Sequence, residues 1–172
     1  MNWTDFLNAA GPEAFLAFAG LSAITIGAFI QNRFPAVFLM GCVLALLAAS
    51  GLSLFQIEGG SAFNTLWESD RYSRIAAALC YLCSAVALII AEGYLRREKL
   101  IRFEYGVLVL FASLGMGIML QANDLMTLYL GIETLGLSSY ILAAFNRDSQ
   151  RSSEAGLKYF VLGALASGLI LY

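Results

Sequence analysis

The sequence predicts an all-α fold, a polytopic transmembrane bundle of about six helices. Three observations lead there. Of 172 residues, 60% are hydrophobic and only 13% charged, and the mean hydropathy of +0.76 lies far above that of a water-soluble domain. The apolar residues also gather into six runs, each close to the length that crosses a hydrocarbon core of roughly 30 Å at about 1.5 Å per helical residue. No repeat, low-complexity linker or soluble domain interrupts them, so residues 1–172 read as one transmembrane domain.

The first span is expected at about Ala14–Ile30. Met1 to Gly11 carries Asp5 and no lysine or arginine, unlike the basic start of a secretory signal, so the first apolar run is retained. The second and third spans fall at about Phe34–Leu54 and Ile75–Ala91, separated by the longest connection, roughly Phe55–Arg74, which is too short to fold alone. The fourth, fifth and sixth fall at about Tyr105–Leu120, Leu125–Phe145 and Ala155–Tyr172. The last run is still apolar at Tyr172, with no glycine stop and no flanking charge, which reads as a piece of a longer protein.

Basic residues set the orientation. Arg33, Arg96, Arg97, Lys99, Arg102, Arg147 and Arg151 fall on one side of the alternating spans, and only Arg71 and Arg74 on the other. The richer side is expected to face the cytoplasm, with the N-terminus outside. Trp3, Trp67, Tyr72, Tyr94, Phe103 and Tyr105 flank spans, as interface aromatics do. Small residues recur four apart, at Ala19/Ala23/Gly27, Gly41/Ala45/Ala49, Ser113/Gly117 and Gly163/Ser167, a pattern that lets helix backbones approach closely.

Several classes of function are disfavoured. With no histidine and three cysteines there is little from which to build a metal site or a disulfide framework. A net charge of −2 offers no basic face to nucleic acid. Cys80 and Cys83 form a C-x-x-C, but inside an apolar helix with nothing basic nearby in sequence they read as small packing residues.

Two charges carry the functional signal. Glu133 stands near the midpoint of the fifth span, where a charge costs at least about 2.5–3.5 kcal/mol and therefore needs a partner, water or a task. Its helical neighbours Tyr129, Gly136 and Tyr140 give that face two phenols and a gap with room for water. Proton or ion handling is the reading this favours over a neutral, structural glutamate, because buried membrane carboxylates usually line pathways. Lys158 lies in the sixth span one turn after Glu154, an order that also suits a plain local ion pair, and both readings stay open. Counted along the helices, Glu133 and Lys158 differ in depth by about 13 Å, so direct contact is not expected.

The run Asn123-Asp124-Leu125, Leu130-Gly131-Ile132-Glu133, Ser138 to Phe145 and Ser153 to Ala164 resembles the N subunit of proton-pumping NADH:quinone oxidoreductase, respiratory complex I. The likeness is densest from about Asp124 to Tyr172 and extends weakly to Asp70-Arg71-Tyr72-Ser73. It implies an antiporter-like fold of about fourteen helices, of which this chain would be the N-terminal part. It implies that Glu133 takes the proton-transfer role of the fifth-helix carboxylate and pairs with a lysine on a later helix, and that Lys158 matches the family's sixth-helix lysine; helical spacing adds Glu154, Tyr129 and Tyr140 as supporting residues. No cofactor is expected on this chain; FMN, iron–sulfur clusters and quinone would belong to other subunits. Its partners would be the other membrane subunits and the lipid bilayer, in a bacterial inner membrane or, alternatively, a mitochondrial one. A cation/proton antiporter or membrane-bound hydrogenase subunit, and a non-transporting scaffold, are the competing readings.

Overall fold

A computed structural model describes residues 3–30, 35–56, 60–62 and 66–172. The elements in order are α1 (Trp3–Ile30), α2 (Pro35–Phe55), β1 (Gly60–Ala62), β2 (Trp67–Ser69), α3 (Arg71–Arg97), α4 (Phe103–Gln121), α5 (Leu125–Ala143) and α6 (Gln150–Leu171). All six helices contain segments long and apolar enough to cross a membrane, so the protein is a polytopic α-helical membrane protein. The first four enclose the core, built on residues such as Leu16, Leu39, Leu46, Tyr81, Leu88 and Leu110. Helix α5 packs against α4, and α6 against α5. The outer surface is apolar as well: Phe18, Ile90 and Leu169 are each more than 70% exposed, which suits hydrocarbon and not water.

Polar residues at the ends of the apolar runs start and stop the helices. Asp70 caps α3, its carboxylate accepting the Ser73 amide at 2.7 Å while the Ser73 hydroxyl accepts the Asp70 amide at 2.9 Å. Asp124 caps α5 through the Thr127 amide at 2.7 Å. Those amides hold both carboxyls below the usual carboxylate range. Helix α3 ends with Lys99 in the left-handed region at φ 56°, its amide donating to the Arg96 carbonyl and that of Leu100 to Leu95. This is the paired closure that glycine usually supplies.

Helices α1, α3, α4 and α6 begin before the expected apolar spans, whereas α5 stops at Ala143, short of the expected Phe145. Helix α3 takes in Arg71, Arg74, Arg96 and Arg97, which hydropathy leaves outside. Helix α1 begins at Trp3, well before Ala14, and survives Pro12 by kinking at Ala10, where φ is −129° and ψ 19°. The expected start of the second span at Phe34, and Arg33, lie outside the described residues.

The connection between α2 and α3 carries a short antiparallel hairpin, Gly60 opposite Ser69 and Ala62 opposite Trp67. Trp67 does not float at an interface. It is 8% exposed, and its indole Nε1 donates to the Ala9 carbonyl at 2.9 Å and to Oε1 of Gln121 at 3.0 Å. The hairpin thereby clamps the start of α1 to the end of α4, and all of these groups lie on the side opposite the Arg96–Arg102 cluster.

Two of the small-residue stripes behave otherwise than expected. Ala19, Ala23, Gly41 and Ala45 line an open apolar groove of about 610 Å³ between α1 and α2, and a Cβ at Gly41 would meet nothing within 4 Å. Close approach occurs instead between α4 and α5. A Cβ at Gly115 would lie 2.6 Å from the Leu135 amide nitrogen and 2.8 Å from the Gly131 carbonyl oxygen.

Candidate functional site

Helix α5 carries Glu133 at its ninth of 19 positions, between the Asp124 cap and Ala143. The residue is half-buried, and its Oε1 atom is fully buried with no hydrogen-bond partner among the described residues. Tyr129, one turn earlier, is half-buried too. Tyr140, two turns later, crosses to α6, where its ring meets Tyr159 edge-on at 4.9 Å and Phe160 at 5.9 Å.

The gap beside Gly136 is filled by that ring. A Cβ at Gly136 would come within 2.9 Å of the Tyr140 hydroxyl oxygen, and one at Gly163 of α6 would overlap it. The room expected for water on this face is therefore taken by the phenol, because a helical tyrosine points back along its own helix toward the preceding turn.

Lys158 Nζ sits 2.7 Å from Glu154 Oε1, one turn apart on the outer face of α6, with both side chains more than half exposed. Ion pairs among the described residues are this one, Arg96 with Glu92, and Arg74 with Glu13. Glu133 joins none of them. The structure thus brings Lys158 to Glu154 and Tyr140 to α6, and it does not bring Glu133 to Lys158.

A second constellation, on the hairpin side, was not singled out in the sequence. Glu13 of α1 is 3% exposed and Arg74 of α3 fully buried. Glu13 Oε1 accepts the Tyr81 hydroxyl at 2.8 Å and a hydrogen bond from Nε2 of Gln121. Arg74 Nη2 donates to the carbonyls of Asn8 and Ala9, each at 2.6 Å, and to the Ser69 hydroxyl at 3.3 Å. Those carbonyls are available because Pro12 has no amide to offer the first and Ala10 breaks the ladder near the second. Arg74 is thus a buried hydrogen-bonding residue, not the exposed topology marker the charge count took it for. A carboxylate beside a proline in a long apolar run, with Arg74 and Tyr81 seven apart on one helical face, is the signal that points to it.

Comparison with known proteins places both constellations. Residues 122–172 match the family described as NADH:quinone oxidoreductase/Mrp antiporter, TM. Subunit N of NADH-quinone oxidoreductase from Hirschia baltica is 52% identical over all of this chain, which covers 37% of that protein. The subunit N of Paramagnetospirillum magneticum is 49% identical over 94% of the chain, 33% of its own length. The chain belongs to the subunit N family of NADH-quinone oxidoreductase. A solved structure of respiratory complex I from Thermus thermophilus with bound Aureothin contains a similar chain, at a TM-score of 0.73 and 29% identity, covering 94% of this chain and 35% of that one. The chain spans about a third of the length of the subunit N relatives it matches. Glu133, Tyr129, Tyr140, Glu154 and Lys158 fall in the segment shared with Mrp antiporters, whereas Glu13, Arg74 and Tyr81 precede it.

Proposed function

We propose that this chain works in proton translocation, as part of the N subunit of a proton-pumping NADH:quinone oxidoreductase in a bacterial inner membrane. The reading rests on one observation above the rest: at mid-helix in α5, Glu133 keeps a buried carboxylate oxygen that no group among the described residues satisfies. A purely structural glutamate in that position is expected to have both oxygens bonded, since an unmet buried acceptor costs about 1–3 kcal/mol. An oxygen without a donor can take up a proton and release it without breaking an existing bond.

In this scheme Glu133 is the proton-binding group of the fifth helix. Lys158 is the cation of the sixth helix, ion-paired with Glu154 at 2.7 Å. Tyr140, between the two helices, fixes the distance from α5 to α6, and Tyr129 completes the Glu133 face. FMN, iron–sulfur clusters and quinone do their work in other subunits. The N-terminus and the hairpin lie outside the cell and the Arg96–Arg102 cluster inside, as the distribution of basic residues favours.

The test is Glu133→Gln in the assembled complex. The variant keeps the size of the side chain and gives up the proton. Assembly is expected to survive while NADH-driven quinone reduction and proton pumping both fall, with Glu133→Asp retaining part of each. Wild-type pumping by an assembled Glu133→Gln complex in closed vesicles would sink the proposal.

A further inference from the structure

We infer that Glu13 is a second proton-binding site, on the hairpin side of the membrane, with Arg74 as its fixed counter-charge and Tyr81 and Gln121 as the groups that orient it. The inference rests on the proposed role in proton translocation and adds to it a site outside the α5–α6 segment.

The geometry differs from that of a structural clamp. A guanidinium that locks a carboxylate does so with two parallel N–H···O bonds of about 2.7–2.9 Å. Here Arg74 Nη1 stands 3.7 Å from Glu13 Oε2, and Oε2, Nη1 and Nε are all buried with no hydrogen-bond partner among the described residues. The hydrogen bonds of the guanidinium go to Asn8, Ala9 and Ser69 instead. Arg74 therefore keeps its place whether or not Glu13 is ionised. Oε1 is equally well held, by Tyr81 and Gln121, which leaves Oε2 as the oxygen free to change its state.

The charged or titratable groups facing Glu13 are Arg74 and Tyr81 from α3; α4 presents uncharged Gln121 and Gly117, and β2 presents Trp67 and Ser69 around Arg74. At 3.7 Å, Oε2 and Nη1 are within ion-pair distance but beyond a direct hydrogen bond. In the step itself, an O–H bond forms at Oε2 as one breaks in a hydronium ion, leaving water; release is the reverse. No electrons move, and Arg74 stays protonated throughout.

The experiment uses the assembled complex in closed vesicles, with Glu13→Gln, Tyr81→Phe and, as a reference, Glu133→Gln. Assembly is read on native gels, with coupled turnover, proton pumping and the pH profile of each. Glu13→Gln can still accept the bonds of Tyr81 and Gln121, so it is expected to assemble and to lose about tenfold or more of coupled turnover. One component of the carboxylic-acid C=O region in acid-minus-neutral infrared difference spectra of the parent should be missing from this variant. Tyr81→Phe removes one donor to the ionised form, so its pH profile is expected to move to higher pH. If Glu13→Gln fails to assemble, Tyr81→Phe decides. Wild-type pumping by Glu13→Gln, or an unmoved profile in Tyr81→Phe, overturns the inference and leaves a structural network. Impairment in Glu133→Gln alone would sink this site only, whereas a normal Glu133→Gln sinks the reading of α5 whatever Glu13 does.

Discussion

Tyr81 of α3 donates a 2.8 Å hydrogen bond to Glu13 of α1, and the two meet only because position 117 of α4 has no side chain. A Cβ at Gly117 would fall on the Tyr81 hydroxyl oxygen and lie 3.3 Å from Glu13 Cγ. Gly117→Ala is therefore expected to displace the phenol and break the bond. The cost should be about 1–3 kcal/mol, the usual cost of overpacking a filled site, read as a lower melting temperature of the purified complex.

Gly115 and Gly41 test which small residues hold helices together. At Gly115 the added methyl would meet backbone of α5, which cannot rotate away, so Gly115→Ala should cost at least as much as Gly117→Ala and loosen α4 from α5. Gly41 faces open space, and Gly41→Ala should be neutral or slightly stabilising, since alanine favours the helix by about 1 kcal/mol. Equal losses at both positions would refute the distinction.

Glu154 and Lys158 invite a double-mutant cycle. An exposed pair one turn apart couples by about 0.2–0.5 kcal/mol, so neither single alanine variant should impair assembly. Lys158→Ala is expected to lower coupled turnover nonetheless. Turnover equal to the parent would reduce the pair to a local one.

The caps predict how α3 and α5 respond to acid. Asp70 and Asp124 accept backbone amides that lower their proton affinity in the fold, and an unfolded chain lacks those bonds. Their contribution is thus fully present above the ordinary carboxylate range and fades as pH falls through the lowered folded values. Asp70→Asn and Asp124→Asn keep a capping oxygen and should flatten the acid limb of a stability-versus-pH curve; an unchanged limb would show the caps to be incidental.

Orientation is open to a direct measurement. A cysteine placed at Lys99, in a background lacking Cys42, Cys80 and Cys83, should react with an impermeant reagent in inverted vesicles and stay silent in intact cells. Labelling from the outside alone would invert the arrangement.

Much of the α5–α6 region was legible in the chain. The 19 residues of α5 are apolar apart from Glu133 and a few hydroxyls, so its length and the depth of the carboxylate follow from counting. The Glu154–Lys158 pair follows from helical spacing, and its 2.7 Å contact involves no other element. Even the reach of α3 beyond its apolar window was implicit in Asp70 and Ser73, three apart, which make a cap wherever a helix begins there.

What the chain by itself determined is therefore local: hydropathy summed over a window, the helical period, and caps that act within a turn. Only the tertiary structure decided that Glu13 meets Tyr81 across 68 positions and Gln121 across 108, that Arg74 turns its guanidinium to carbonyls freed near Pro12, and that Tyr140 fills the space beside Gly136. Glu13, Arg74 and Gln121 each stand at the edge of an apolar run, where a polar residue is ordinarily read as the end of a span. Their burial arises because the kink in α1, the hairpin and the ends of α3 and α4 converge on one side of the bundle. That convergence depends on how the helices pack, a long-range property that no window along the sequence contains.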